Sequence, residues 1–246
     1  MHFDILTIFP EMFVSPLEHS ILKRALAAGQ ITAKVWDIRD YAEGVHQKVD
    51  DTPYGGGAGM VFKPEPLVKA LEAVPTTGKR RNILLTPRGS LLTQAKLEEL
   101  KEYDQLALVC GRYEGVDQRA VELVIDEEIC VGDYVVTGGE LPALLVMDGV
   151  TRLLPGVLGN ENSLEKESFA QGLLEHPHYT KPPVFRGLEV PCVLRSGHHR
   201  DIEDWQRRQS LKITLDRRPD LLEKADLTPE DQRYLKELQK EKKSVG

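Results

Sequence analysis

Three glycine-containing segments, TPRG (86–89), CGRYEG (110–115) and VGDYVVTGGELP (131–142), fall at the ends of predicted strands. Glycine lets the main chain approach a ligand closely, so backbone N–H and C=O groups can recognise an adenine or an amino-acid moiety without a charged pocket. Any one of these segments reads equally as a structural turn. Three at successive strand ends lean toward a ligand. A fourth cluster, DDTPYGGGAGM (50–60), has no Lys followed by Ser or Thr, and a G-x-G-x-x-G register from Gly55 puts Met60 where the third glycine belongs. Neither ATP nor NAD is indicated. His176 and His178, and His198 and His199, are adjacent or split by one residue, unlike helical metal pairs at i, i+4 or zinc sites that recruit cysteines at short spacing, so they read as structural or RNA-facing residues, and no metal ligand is assigned. There is no G-x-S-x-G elbow for serine hydrolysis.

The elements that must carry these loops alternate. Short apolar, β-branched runs at 3–9, 32–38, 82–86, 105–110 and 128–136 predict strands, and helical patterns lie between and after them at 17–28, 66–74, 93–103, 117–124 and 141–154. That order predicts an α/β fold on a mostly parallel sheet. Thr93 stands where a helix would start. From 156 the chain turns polar and rich in Gly, Asn and Glu, which reads as a mobile linker. Beyond a Pro-rich stretch, helical patterns at 201–218 and 228–243 predict a small, mainly helical second domain, and KEKKSVG (240–246) reads as a frayed tail.

Composition sets outer limits. Among 246 residues, 41% are hydrophobic and 29% charged, close to globular averages, and no window has the roughly 18 continuous apolar residues of a membrane span. MHFDILTIFPEMF lacks the features of a secretory signal, and three widely spaced cysteines fit reduced thiols, so a cytoplasmic location is expected. A net charge of −7 does not by itself suggest a nucleic-acid partner. Between 195 and 218, however, seven Arg or Lys stand against four Asp or Glu. That local excess suits a phosphate-facing stripe or a solvated helix face.

In order and spacing, DDTPYGGGAGM, CGRYEGVDQR, VGDYVVTGGELPA, RLLPGVLGNENS, ESFAQGLLEHPHYTKP and SGHH closely resemble the bacterial tRNA (guanine-N1)-methyltransferases of the TrmD family, over nearly the whole chain. The resemblance implies a SPOUT-type fold: a trefoil-knotted methyltransferase domain at 1–158 that binds S-adenosylmethionine, a flexible linker at 159–172 and a helical tRNA-binding domain at 173–246. It also implies a homodimer with the active site across its interface, magnesium as an accompanying ion, and methyl transfer to N1 of guanosine-37. Other knotted methyltransferases, such as those acting on ribose 2′-oxygen, and a non-catalytic protein binding the donor and RNA are the competing readings.

Carried over residue by residue, the donor site comprises Leu84, Leu85, Thr86 and Pro87, then Gly111 and Glu114, then Cys130, Val131, Gly132, Tyr134, Val136, Gly138, Gly139 and Pro142. Arg152 matches the catalytic arginine, and Glu167 occupies the position of the general base, where the family has aspartate. Glu keeps the carboxylate and adds a methylene; Glu165 is the weaker substitute. Glu175, His178, Ser196 and Arg207 fall at substrate-side positions. Thr86 stands where the family usually has Ser, and Arg88 where it often has Gln.

Overall fold

The computed structural model describes residues 1–159, 167–170 and 172–245. The chain forms two compact units, Met1–Gly159 and Asn160–Gly246. In the first unit the elements run β1 (His2–Thr7), α1 (Val14–Leu17), α2 (Ser20–Ala27), β2 (Thr32–Asp37), β3 (Asp50–Asp51), β4 (Val61–Phe62), α3 (Pro64–Ala73), β5 (Arg80–Leu91), α4 (Gln94–Leu100), β6 (Gln105–Cys110), α5 (Gln118–Val124), β7 (Glu127–Cys130) and α6 (Glu140–Thr151).

The main sheet has the order β2-β1-β6-β5-β7, with every pair parallel. Parallel strands need crossovers, and here helices cover both faces. Alternate side chains therefore feed two cores. Phe3, Ile5, Ile83, Leu85, Leu106, Leu108 and Ile129 pack on one face with Leu22 of α2 and Val146 and Val150 of α6. Leu6, Leu84, Ala107 and Val109 pack on the other with Leu67 and Leu71 of α3 and Val121 of α5. Burial on both sides explains why these strands read as unbroken apolar runs, and each fully buried Leu or Ile contributes roughly 1.5–3 kcal/mol.

Two ends of the sheet differ in chemistry. At the amino end, buried Asp4 accepts hydrogen bonds from Trp36 Nε1 (2.7 Å) and Gln105 Nε2 (2.7 Å) and lies 3.1 Å from His2 Nε2. At the carboxyl end, the ladder between β5 and β7 slips: Leu85 and Ser90 both face Ile129, so residues 86–89 loop out of the pairing. Gly89 makes the return possible, because a Cβ there would lie 2.6 Å from the Glu128 carbonyl oxygen.

The structure changes several sequence-based boundaries. The strand expected over 128–136 ends at Cys130; Val135 is 83% exposed, so VGDYVV is an apolar loop and not a sheet run. The helix expected over 17–28 begins only at Ser20: α1 ends at Leu17, His19 is extended, and Ser20 itself has a φ of 53°. Thr93 does cap α4, its Oγ1 accepting from Lys96 N–H at 3.2 Å.

The second unit contains the hairpin β8 (Val184–Phe185) and β9 (Leu188–Glu189), then α7 (His199–Arg217) and α8 (Pro229–Val245). α8 continues to Val245, into the segment read as a tail. Leu173, Leu211 and Leu235 form its buried apolar cluster. Of the expected linker, 160–166 and 171 lie outside the described residues.

Candidate active site

The carboxyl ends of β6, β5 and β7, neighbours in the sheet, meet at one cavity of about 420 Å³. This is within the ~300–1,000 Å³ of small-molecule sites. Its walls include Leu84, Leu85, Thr86, Pro87, Gly111, Glu114, Cys130, Val131, Tyr134, Val136, Gly138, Gly139 and Pro142. The structure thus brings together residues separated by up to about sixty positions. Gly132 is not in the lining; the Tyr134 ring occupies the space where its Cβ would be.

Main chain dominates the site for a steric reason. A Cβ on Gly139 would fall 2.6 Å from Cys110 Cα and 2.8 Å from Gly111 N, and the Gly139 N–H donates to Gly111 O at 2.9 Å. A Cβ on Gly111 would lie 3.0 Å from Leu85 O. The three loops are backbone against backbone, leaving no room for side chains between them. In the first loop the Arg88 N–H reaches Thr86 Oγ1 at 3.4 Å, a contact that serine or threonine supplies equally. Arg88 itself pairs with Glu128 at 3.4 Å.

Below the cavity wall lies a buried charge pair. Glu140, the first residue of α6, is 1% exposed and accepts from Thr7 Oγ1 (2.8 Å) and from Arg112 Nε (3.2 Å) and Nη2 (3.1 Å). The Arg112 guanidinium stacks 4.3 Å from the Phe9 ring centroid. Nearby Cys110 is fully buried; desolvation, followed by the Glu140 charge, pushes its thiol well above the ordinary range. It stays protonated and acts as a small packing group.

The segment 50–60, excluded as a phosphate loop, has a different place. Glu114 N–H donates to Met60 O (3.0 Å) and Phe62 N–H to Gly115 O (2.9 Å), so β3, β4 and their connection are stitched to the 111–115 loop. Gly59 allows this, since its Cβ would lie 2.8 Å from Glu114 Cδ. Tyr113, at φ 62°, packs edge-on to Phe62 at 5.6 Å, and burial, followed by the Asp50 charge, raises its phenol above the usual range. Sequence reading named neither the stitching nor the Thr7–Arg112–Glu140 cluster. The glycine count of 50–60 was the available signal for the first.

Arg152 stands at the C-cap of α6, its N–H on Asp148 O at 3.1 Å. In the second unit Glu167 begins a turn, with Ala170 N–H on its carbonyl at 3.2 Å, while Glu165 lies outside the described residues. Glu175 pairs with His178 at 2.9 Å, and its N–H donates to Ser168 Oγ at 3.0 Å. The His178 ring is 4.7 Å from that of His176, which is 6.4 Å from Trp205. Glu167, His176 and Arg207 line one cavity of about 280 Å³. Arg207 is held by Asp231 (2.8 Å), and Ser196 Oγ donates to Val193 O (2.8 Å), so both serve local structure. Among the described residues no three His, Cys, Asp or Glu side chains gather to hold a metal ion.

An open parallel sheet with a ligand-sized cavity, framed by closely packed glycine-containing loops at the carboxyl ends of adjacent strands, defines an α/β small-ligand-binding protein. The family model described as tRNA (Guanine-1)-methyltransferase TrmD matches residues 1–224. A tRNA (guanine-N(1)-)-methyltransferase of Desulfitobacterium hafniense is 54% identical over 242 residues, covering 98% of this chain and 92% of the relative. Those of Geotalea uraniireducens (53%, 100% of both chains) and Halalkalibacterium halodurans (52%, 98% and 99%) are similar to the same extent. The chain belongs to the TrmD family of tRNA (guanine-1)-methyltransferases.

Proposed function

We propose that the protein transfers a methyl group from S-adenosylmethionine to N1 of guanosine-37 in tRNA. The observation that carries this reading is the cavity at the ends of β5, β6 and β7, framed by loops in close backbone contact, in a chain of this family. Its volume of about 420 Å³ and its lining of apolar residues and glycines with a few polar side chains suit an adenosine and a methionine moiety. The unit carrying it is the knotted methyltransferase domain (1–158), and 173–246, past the 159–172 linker, is the helical domain that grips tRNA.

Guanine N1 carries a proton at neutral pH, so its lone pair is released only when a base takes that proton. Glu167 is that base, a role worth ~10²–10⁴-fold. As the proton leaves, charge moves onto O6, where the Arg152 guanidinium stabilises it. The N1 lone pair then forms the N–CH₃ bond while the C–S bond breaks, and its electrons return to sulfur, leaving neutral S-adenosylhomocysteine. The rest is in-line alignment of S, CH₃ and N1.

Glu175 and His178 help seat the guanosine, and Ser196 and Arg207 shape the RNA-facing surface around them. Magnesium finds no protein-built site among the described residues, and no step runs through it. The enzyme works as a cytoplasmic homodimer with its active site completed across the interface. In support, Leu141 (55%) and Leu145 (51%) of α6 are exposed beside Tyr134 and Val136 around an apolar hollow. Sedimentation at monomer mass would remove that part of the reading. No described helix is long and apolar enough to cross a membrane.

Glu167→Gln tests the chemistry. It is expected to lower the methylation rate by ~10²-fold or more while leaving donor affinity unchanged. Wild-type turnover in this variant would exclude Glu167 as the base.

A further inference from the structure

The Thr7–Arg112–Glu140 cluster joins three pieces of the cavity's frame: the end of β1, the loop after β6 and the first residue of α6. A charge pair this buried is a poor stabilising device, because desolvation offsets most of the attraction. What it does well is fix geometry. Glu140 stands at the amino end of a 12-residue helix, where the dipole favours a negative charge. Thr7 fixes one of its oxygens, Phe9 backs the guanidinium, and Gly138 leaves space for the pair, since a Cβ there would lie 2.8 Å from Arg112 Cζ.

Arg112 is thereby held by Nε and Nη2 on one edge, while it also lines the cavity. Its Nη2 also reaches Met12 Sδ at 3.8 Å, a weak acceptor, and its Nη1 makes no hydrogen bond among the described residues. We infer that Glu140 is a positioning residue, which holds Arg112 so that its remaining N–H groups receive the carboxylate at the amino-acid end of the methyl donor. A guanidinium edge matches a carboxylate, and no other part of S-adenosylmethionine is anionic. This inference rests on the donor-site reading above.

The full-length protein allows a test that separates this role from stability. S-adenosylhomocysteine has the carboxylate; 5′-methylthioadenosine keeps the adenosine and sulfur without it. By calorimetry, Glu140→Gln and Arg112→Lys are each expected to weaken S-adenosylhomocysteine about tenfold, the loss of one charge-assisted hydrogen bond. Binding of 5′-methylthioadenosine should change by less than about twofold, and the double variant should be no worse than either single one. Asp4→Asn, a buried carboxylate at the opposite end of the same sheet, should lower the melting temperature without changing the ratio of the two affinities. Equal weakening of both ligands, or additive effects in the double variant, would overturn the inference. If Glu140→Gln does not fold, Arg112→Lys alone reads the same ratio. Failure of wild type to bind either ligand would instead refute the donor site itself.

Discussion

Unit Met1–Gly159 seals a parallel sheet with helices on both faces, and its cavity is framed by loops in backbone contact. Among the described residues of unit Asn160–Gly246, the buried apolar cluster is Leu173, Leu211 and Leu235, with Leu215, Leu222 and Leu227 packed against it, and polar contacts add to the fastening. There Leu174 N–H donates to Thr214 Oγ1 (2.9 Å), and Asp231 receives Arg207 (2.8 Å) and the Thr228 N–H (3.0 Å). The first unit resists change where helices bury both faces of its sheet. The second answers to charge and solution conditions where its described fastening is by ion pairs and side-chain hydrogen bonds.

The sharpest way to break this contrast is to crowd the first unit's frame. Gly139→Ala would set a methyl group against Cys110 Cα and Gly111 N, both main chain, so the loops must separate. Overpacking of this kind costs ~1–3 kcal/mol, and a displacement near 1 Å at a site can cost ~10²-fold. Donor affinity measured by calorimetry should fall by about that factor, while the second unit's hydrogen-exchange protection is retained.

A smaller effect is expected from the second unit's charge pair. Burial pushes the Asp231 carboxyl up, but hydrogen bonds from Arg207 and Thr228 outweigh it, and the net position is below the usual range. A depressed carboxyl contributes stability that is complete above its unfolded value, ~3.9, and is lost as pH falls through its folded value. Protection of α7 and α8 should therefore decline below about pH 4. Asp231→Asn should lower their stability by ~1–3 kcal/mol at neutral pH, flatten that acid limb and leave donor affinity intact. Loss of donor binding in this variant would erase the distinction between the units.

What sequence made legible follows the same division. β6 is six consecutive apolar or buried residues ending at Cys110, and its bounds could be read from the sequence because both faces are covered. VGDYVV has a similar apolar character yet lies outside the sheet, since one-dimensional pattern does not distinguish a strand from an exposed apolar loop. The slip at 86–89 was hidden because two stretches of β5 pair with the same residue, Ile129. Glu140, Arg112 and Thr7 are up to 133 positions apart, and no local signal marks a buried pair that the topology assembles. Gly111, Glu114, Tyr134, Gly138, Gly139 and Pro142, by contrast, lie in continuous motifs and are singled out by family resemblance, whereas Arg112, Val116 and Ile129 of the same lining are not.

The central claim is that this protein methylates N1 of one guanosine in tRNA. It is tested most directly by incubating the protein with S-adenosylmethionine and two tRNA transcripts that differ only in guanosine or adenosine at position 37. Mass spectrometry of the nucleoside digests should find 1-methylguanosine from the first transcript and no methylated product from the second. A 2′-O-methylated nucleoside, equal methylation of both transcripts, or no product from either would contradict it.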